Sequence, residues 1–126
     1  MGPIGWIAYA AGFIGLITYM RMRRAGQVSK QAAAAYIKQG AIIVDVRSPD
    51  EYNRGHLSQA FNMPVNEINS LLPGKVQDKN RVILVHCQSG MRGKKAILNL
   101  TGIGYTQVFS LGSYERAFKI VSGRSL

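Results

Sequence analysis

The chain is nearly free of cysteine. Cys87 is the only one in 126 residues, which excludes an intramolecular disulfide and any Cys-rich metal site. A chain built without disulfides is compatible with a reducing compartment. Acidic residues are also scarce: six Asp and Glu stand against sixteen Lys and Arg, a net charge of +10. Such a surface favours anionic partners, whether lipid, nucleic acid or small anions. Its basic residues are not interleaved with aromatics in a nucleic-acid motif, so no nucleic-acid partner is expected. Internal repeats and low-complexity tracts are missing, and the length leaves no room for a second catalytic domain.

Charge is missing altogether from Gly2 to Met20. As a helix at about 1.5 Å per residue this run would reach roughly 28 Å, close to a bilayer's hydrocarbon thickness. Trp6 and Tyr9 lie toward one end and Tyr19 toward the other, and Arg21-Met22-Arg23-Arg24 follows. No basic segment precedes the run, as a secretory signal would require. Trp6 occupies the position where a myristoylation signal needs Ser or Thr. Residues 1–24 are therefore expected to form a single-pass transmembrane anchor with a basic flank, the membrane partner being residues 2–20. The positive-inside rule places the remainder, residues 25–126, in the cytoplasm. Small residues at Ala8/Gly12 and Ala11/Gly15 would allow a weak helix-mediated dimer.

After the Ala25-Gly26 linker the pattern alternates. Ser29 caps a helix through Lys38, ended by Gly40. Ala41–Val46 is an unbroken apolar run typical of a buried strand. Ser48-Pro49-Asp50-Glu51 opens a helix with a cap, a proline and a glutamate that reaches back. A short strand is expected at Ala60–Asn62, and a helix at Val65–Leu72 stopped by Pro73-Gly74. Arg81–His86 is a second buried strand, Cys87–Gly90 a turn and Met91–Leu100 a helix. A strand at Thr106–Phe109 and a last helix after Ser113 complete the chain. Strands alternating with helices imply an α/β fold: a mostly parallel central sheet with helices on both faces.

Cys87 stands where a buried strand ends and a helix begins, the place where open α/β sheets bind ligands. The amides of such a turn, and a helix N-terminus, stabilise an anion, and thiolate is the reactive form of cysteine. Arg92, Lys94 and Lys95 add positive charge nearby. Cys87-Gln88-Ser89-Gly90-Met91-Arg92, with Gly93 after it, resembles the active-site loop of rhodaneses. Val44-Asp45-Val46-Arg47, Glu51-Tyr52, Gly55-His56-Leu57 and Ala60-Phe61-Asn62-Met63-Pro64 resemble the upstream pattern of that family, in one register from residue 26 to about 118. Gly112-Ser113-Tyr114 departs from the two glycines and tryptophan often found there, which bears on the last helix and one wall of the pocket.

The resemblance implies a single-domain sulfurtransferase with no cofactor and no metal. Cys87 would carry a persulfide, and Arg92 would bind the anionic donor. Gln88, Ser89, Gly90, Met91 and Gly93 would form the cradle. Thiosulfate or a similar anion would be the donor, and cyanide, a thiol or a protein the acceptor. Asp45 and Arg47 are expected to pair and brace the loop, and His56 to be a hydrogen-bonded structural residue. His86 should point away from Cys87 by strand alternation, and Glu51 serves as a helix cap. Two rivals remain open. One is a sulfur carrier or membrane docking module without turnover. The other is a cysteine-dependent phosphatase or arsenate reductase, whose loop holds five residues between Cys and Arg; here that later position is Gly93.

Overall fold

The computed structural model describes residues 2–24 and 26–123, with side chains throughout except at 19–24. It begins with one continuous helix, α1 (Pro3–Arg24). Ile4, Trp6, Ile7, Tyr9, Phe13 and Ile14 each leave 64–80% of their surface in solvent, so α1 does not contribute to the core of the domain.

The expectation of a transmembrane span gains no support here. Among the described residues no helix is long and apolar enough to cross a membrane. The side chains of Tyr19, Arg21, Arg23 and Arg24, and Ala25 of the linker, lie outside the described residues.

The α/β unit follows as α2 (Lys30–Lys38), β1 (Ile42–Asp45), α3 (Pro49–Asn53), β2 (Ala60–Asn62), α4 (Ile68–Lys75), β3 (Ile83–His86), α5 (Met91–Gly102), β4 (Val108–Gly112) and α6 (Tyr114–Ser122). The sheet order is β2-β1-β3-β4, and every pairing is parallel. Pleat alternation sorts the strands between two cores. Val44, Ile83 and Val85 pack with Ile68 and Leu72 of α4 and Ala96 and Leu100 of α5. Ile43 and Leu84 pack on the other side with Ala33 of α2 and Ala117 of α6. Helices therefore cover both faces of a sheet whose central strands are buried.

The expected caps form as hydrogen bonds. Ser29 Oγ accepts from the amide of Ala32. Ser48 and Glu51 make a reciprocal capping box, and α6 gains a cap the sequence reading did not single out, Ser113 Oγ accepting from the amide of Arg116. Several boundaries differ from expectation, those of α4 and β4 most. Helix α4 starts at Ile68 and runs through Pro73 to Lys75. Buried Ile68 and Leu72 hold it against the core, and the carbonyl that Pro73 leaves without an amide partner belongs to solvent-exposed Asn69. Strand β4 starts at Val108 and extends to Gly112, because its edge is occupied: Gln27 bridges Ser110 in parallel.

Candidate active site

The β3–β4 register breaks beside the cysteine. Val85 pairs with Ser110, but His86 pairs with Gly112, so Leu111 is an extra residue on β4. This bulge places the Gly112 carbonyl 3.3 Å from the amide of Cys87, and it fixes where Cys87 leaves the sheet. The chain then turns through Gln88 and Ser89 to Gly90, which caps α5 at φ +97°. A side chain there would be strained and would sit 3.6–3.7 Å from the backbone of Gly112 and Ser113. The amide of Gly90 donates to Cys87 Sγ at 2.8 Å. Cys87 is buried, with its sulfur at the N-terminal end of a twelve-residue helix, where the dipole favours negative charge.

The other expected cradle residues divide. Gln88 is exposed, yet its side-chain oxygen accepts from Arg47 Nη1 at 3.2 Å. Ser89 and Met91 face solvent. Gly93 is buried, and a Cβ there would meet Ser110 Oγ at 3.5 Å and Val85 Cγ2 at 3.7 Å. Gly93 thus faces the sheet from the first turn of α5, with a Cβ position at ordinary contact distance from it. Of the nearby lysines, Lys95 reaches Asn66 Oδ1 at 3.4 Å.

Asp45 and Arg47 pair as expected. Arg47 Nη2 lies 2.7 Å from Asp45 Oδ2, and Arg47 Nε donates to both carboxylate oxygens at 3.0 Å. The backbone amide of Arg47 adds a bond to Asp45 Oδ1. Arg47 also donates to the Gly55 carbonyl at 2.8 Å and lies 4.7 Å over the Tyr114 ring. One buried guanidinium thus ties β1, the end of α3, the cysteine loop and α6 together. The hydrogen bond to Asp45 raises the pKa of Arg47 despite its burial.

His56 is exposed, stacked 3.6 Å from Tyr52 and bonded through Nδ1 to the Tyr52 carbonyl at 2.8 Å, a structural placement. His86 is fully buried. Its Nδ1 lies 3.5 Å from the Cys87 carbonyl and its Nε2 lies 3.8 Å from Asp45 Oδ2. Nε2 has no hydrogen-bond partner, because Arg47 already takes both Asp45 oxygens. Burial lowers the pKa of His86, against the smaller pull of Asp45.

Arg92 brings the largest addition to the sequence reading. Its Nη1 and Nη2 donate to Glu51 Oε1 and Oε2 at 2.6 and 2.8 Å. Glu51 keeps its capping bonds to Ser48 at the same time. The hydrogen bonds from Arg92 hold the Glu51 carboxyl at about 2, well below 4.5. Glu51 is therefore both a cap and the anchor of the arginine expected to bind the donor. Nothing in the sequence reveals this, since the partners are 41 residues apart. Tyr114 stands where the related pattern has tryptophan, and it forms the cleft wall beside Gln88. Its aromatic ring in that register was the available signal.

A parallel α/β sheet with a buried cysteine at its carboxyl edge, its sulfur accepting from the Gly90 amide, has the architecture of the small rhodanese-like domains. The profile of the family described as "Rhodanese-like domain" matches residues 29–117, and this chain belongs to that family. Thiosulfate sulfurtransferase PspE of Escherichia coli K12 is 35% identical over 72 residues, covering 57% of this chain and 69% of PspE. Among solved structures, the human single-domain sulfurtransferase TSTD1 matches with a TM-score of 0.65 and 28% identity, covering 75% of this chain and 96% of TSTD1. A rhodanese with anions from E. coli matches with a TM-score of 0.59 and 31% identity, covering 61% of this chain and 91% of that one.

Proposed function

We propose that this protein is a thiosulfate sulfurtransferase that works through a persulfide on Cys87. The observation that carries the reading is the amide of Gly90 donating to Cys87 Sγ at the N-terminus of α5, with Arg92 in the first turn of the same helix. Cys87 thiolate attacks the outer sulfur of thiosulfate. The sulfur–sulfur bond of the donor breaks, and its electron pair leaves on sulfite. The resulting persulfide passes its outer sulfur to cyanide or a thiol, and Cys87 is regenerated. Splitting the transfer in two is the logic of nucleophilic catalysis, and loop amides aimed at sulfur stabilise both anionic states. The free edge of the Arg92 guanidinium, held in place by Glu51, binds the donor's oxygens.

Mass spectrometry of the intact protein after thiosulfate treatment tests this reading. An adduct of about 32 Da on Cys87, released by a reducing thiol, is expected. Cys87→Ser should lose both the adduct and the transfer; an active Cys87→Ser protein would sink the mechanism. Thiosulfate:cyanide transfer should also exceed aryl phosphate hydrolysis under matched conditions, since Gly93 stands where the wider phosphatase loop would need arginine. A second reading concerns place. The solvent-exposed apolar side chains of α1 support attachment of the protein to a membrane through residues 2–20. The basic flank at 21–24 would keep the domain on the cytoplasmic side.

A further inference from the structure

Beside the cysteine loop lies a cleft of about 370 Å³ lined by Arg47, Glu51, Arg54, Gly55, Gln88 and Tyr114. Two of its charges are already cancelled. Arg47 is paired with Asp45, and Glu51 with Arg92. The exposed side chain of Arg54, at the C-cap of α3, has no ion-pair or hydrogen-bond partner among the described residues. It leaves the cleft with one uncompensated positive charge. Two neutral donors line the same space. Gln88 accepts from Arg47 through its oxygen, which leaves its amide NH₂ unused, and the Tyr114 hydroxyl has no partner among the described residues. A guanidinium, an amide NH₂ and a phenol together offer donors with little competing acceptor, which is what a carboxylate needs.

The cleft abuts the loop that carries Cys87 through Gln88, which lines it. Gln88 follows Cys87 directly, and its carbonyl accepts from the Tyr114 amide at 3.3 Å, while the Cys87 amide donates to Gly112. A group held against Arg54 and Tyr114 therefore lies beside the mouth of the cysteine loop. We propose that this cleft is the acceptor subsite, and that it selects small thiols carrying a carboxylate, with Arg54 as the specificity-determining residue. The inference rests on the persulfide reading above and names the acceptor for it. In the step, the acceptor thiolate sulfur bonds to the outer sulfur of the Cys87 persulfide. The bond from that sulfur to Cys87 Sγ breaks, and its electron pair stays on Sγ as thiolate. The product is the acceptor persulfide, which retains the proton given up by the acceptor thiol or releases it to water. No outside oxidant or reductant enters.

The test loads the full-length protein with thiosulfate, removes excess donor, and measures second-order transfer to 3-mercaptopropionate and to its methyl ester. The two acceptors share a skeleton and differ in the carboxylate. The acid-to-ester rate ratio is expected to fall at least tenfold in Arg54→Glu, with Arg54→Gln between that variant and wild type; tenfold is about 1.4 kcal/mol, within the range of a charge-assisted contact. Circular dichroism confirms that each variant is folded. A ratio that changes less than twofold in Arg54→Glu would overturn the assignment while leaving the persulfide reading intact. Absence of the 32 Da adduct in wild type would instead overturn the persulfide reading, and the subsite with it.

Discussion

In the proposed mechanism Arg92, held by Glu51, meets the anionic donor. The carboxylate takes one N–H from each terminal nitrogen of the guanidinium, and three of the five N–H groups stay available in a fixed plane. Arg92→Ala should therefore lower kcat/KM for thiosulfate by roughly thirtyfold, the equivalent of about 2 kcal/mol of charge-assisted binding. Kinetics within twofold of wild type would remove Arg92 from the donor site. Glu51 has a pH signature of its own. Its folded-state carboxyl is lowered to about 2 from 4.5, so the folded state binds fewer protons there than the unfolded chain does. The stabilisation is present above pH 4.5 and is lost as pH falls toward 2. Urea midpoints of wild type should drop across that window more steeply than those of Glu51→Gln; parallel curves would count against the pair.

At the scale of elements, the turn between β3 and α5 holds the cysteine to which the proposed chemistry is assigned. It depends on one left-handed residue, Gly90, and on the β4 bulge that positions the Cys87 amide. Gly90→Ala forces a side chain into positive φ, at a cost of about 1–2 kcal/mol. Relief of that strain rotates the amide that contacts Cys87 Sγ. The expected result is a melting temperature lower by several degrees together with a loss of persulfide formation beyond what the unfolded fraction accounts for. A variant with wild-type loading kinetics would show that the Gly90 amide is dispensable. Helix α3 matters for a different reason. It is only five residues long, yet it supplies Glu51 to Arg92, and its C-cap Arg54 to the neighbouring cleft.

Across the whole molecule, α1 and the α/β unit contrast. The unit buries its apolar residues in two layers, whereas α1 holds a row of large apolar side chains in solvent. Exposed apolar area of this kind marks an interaction surface, and the +10 net charge adds attraction to anionic lipid that salt would weaken. Cell fractionation should leave the protein with membranes through a carbonate wash, and Cys87, its single thiol, should resist an impermeant maleimide until cells are permeabilised. Release by the wash would refute attachment through residues 2–20. Labelling in intact cells would refute the cytoplasmic orientation.

Sequence by itself determined the alternation of strands and helices and the capping at Ser29 and Ser48. It also placed the cysteine at the end of a buried strand, and paired Asp45 with Arg47. These follow from local rules: side-chain period, cap chemistry and short-range reach. It misjudged the end of α4, because burial of Ile68 and Leu72 outweighs the lost hydrogen bond at Pro73. Only the tertiary structure decided the rest. Parallel pairing of β1 with β3 brings residues some forty positions apart to one sheet edge. There Glu51 meets Arg92, Arg47 meets Gln88, and Tyr114 closes a cleft around Arg54. No local pattern encodes such contacts, because their partners become neighbours only when the strands align.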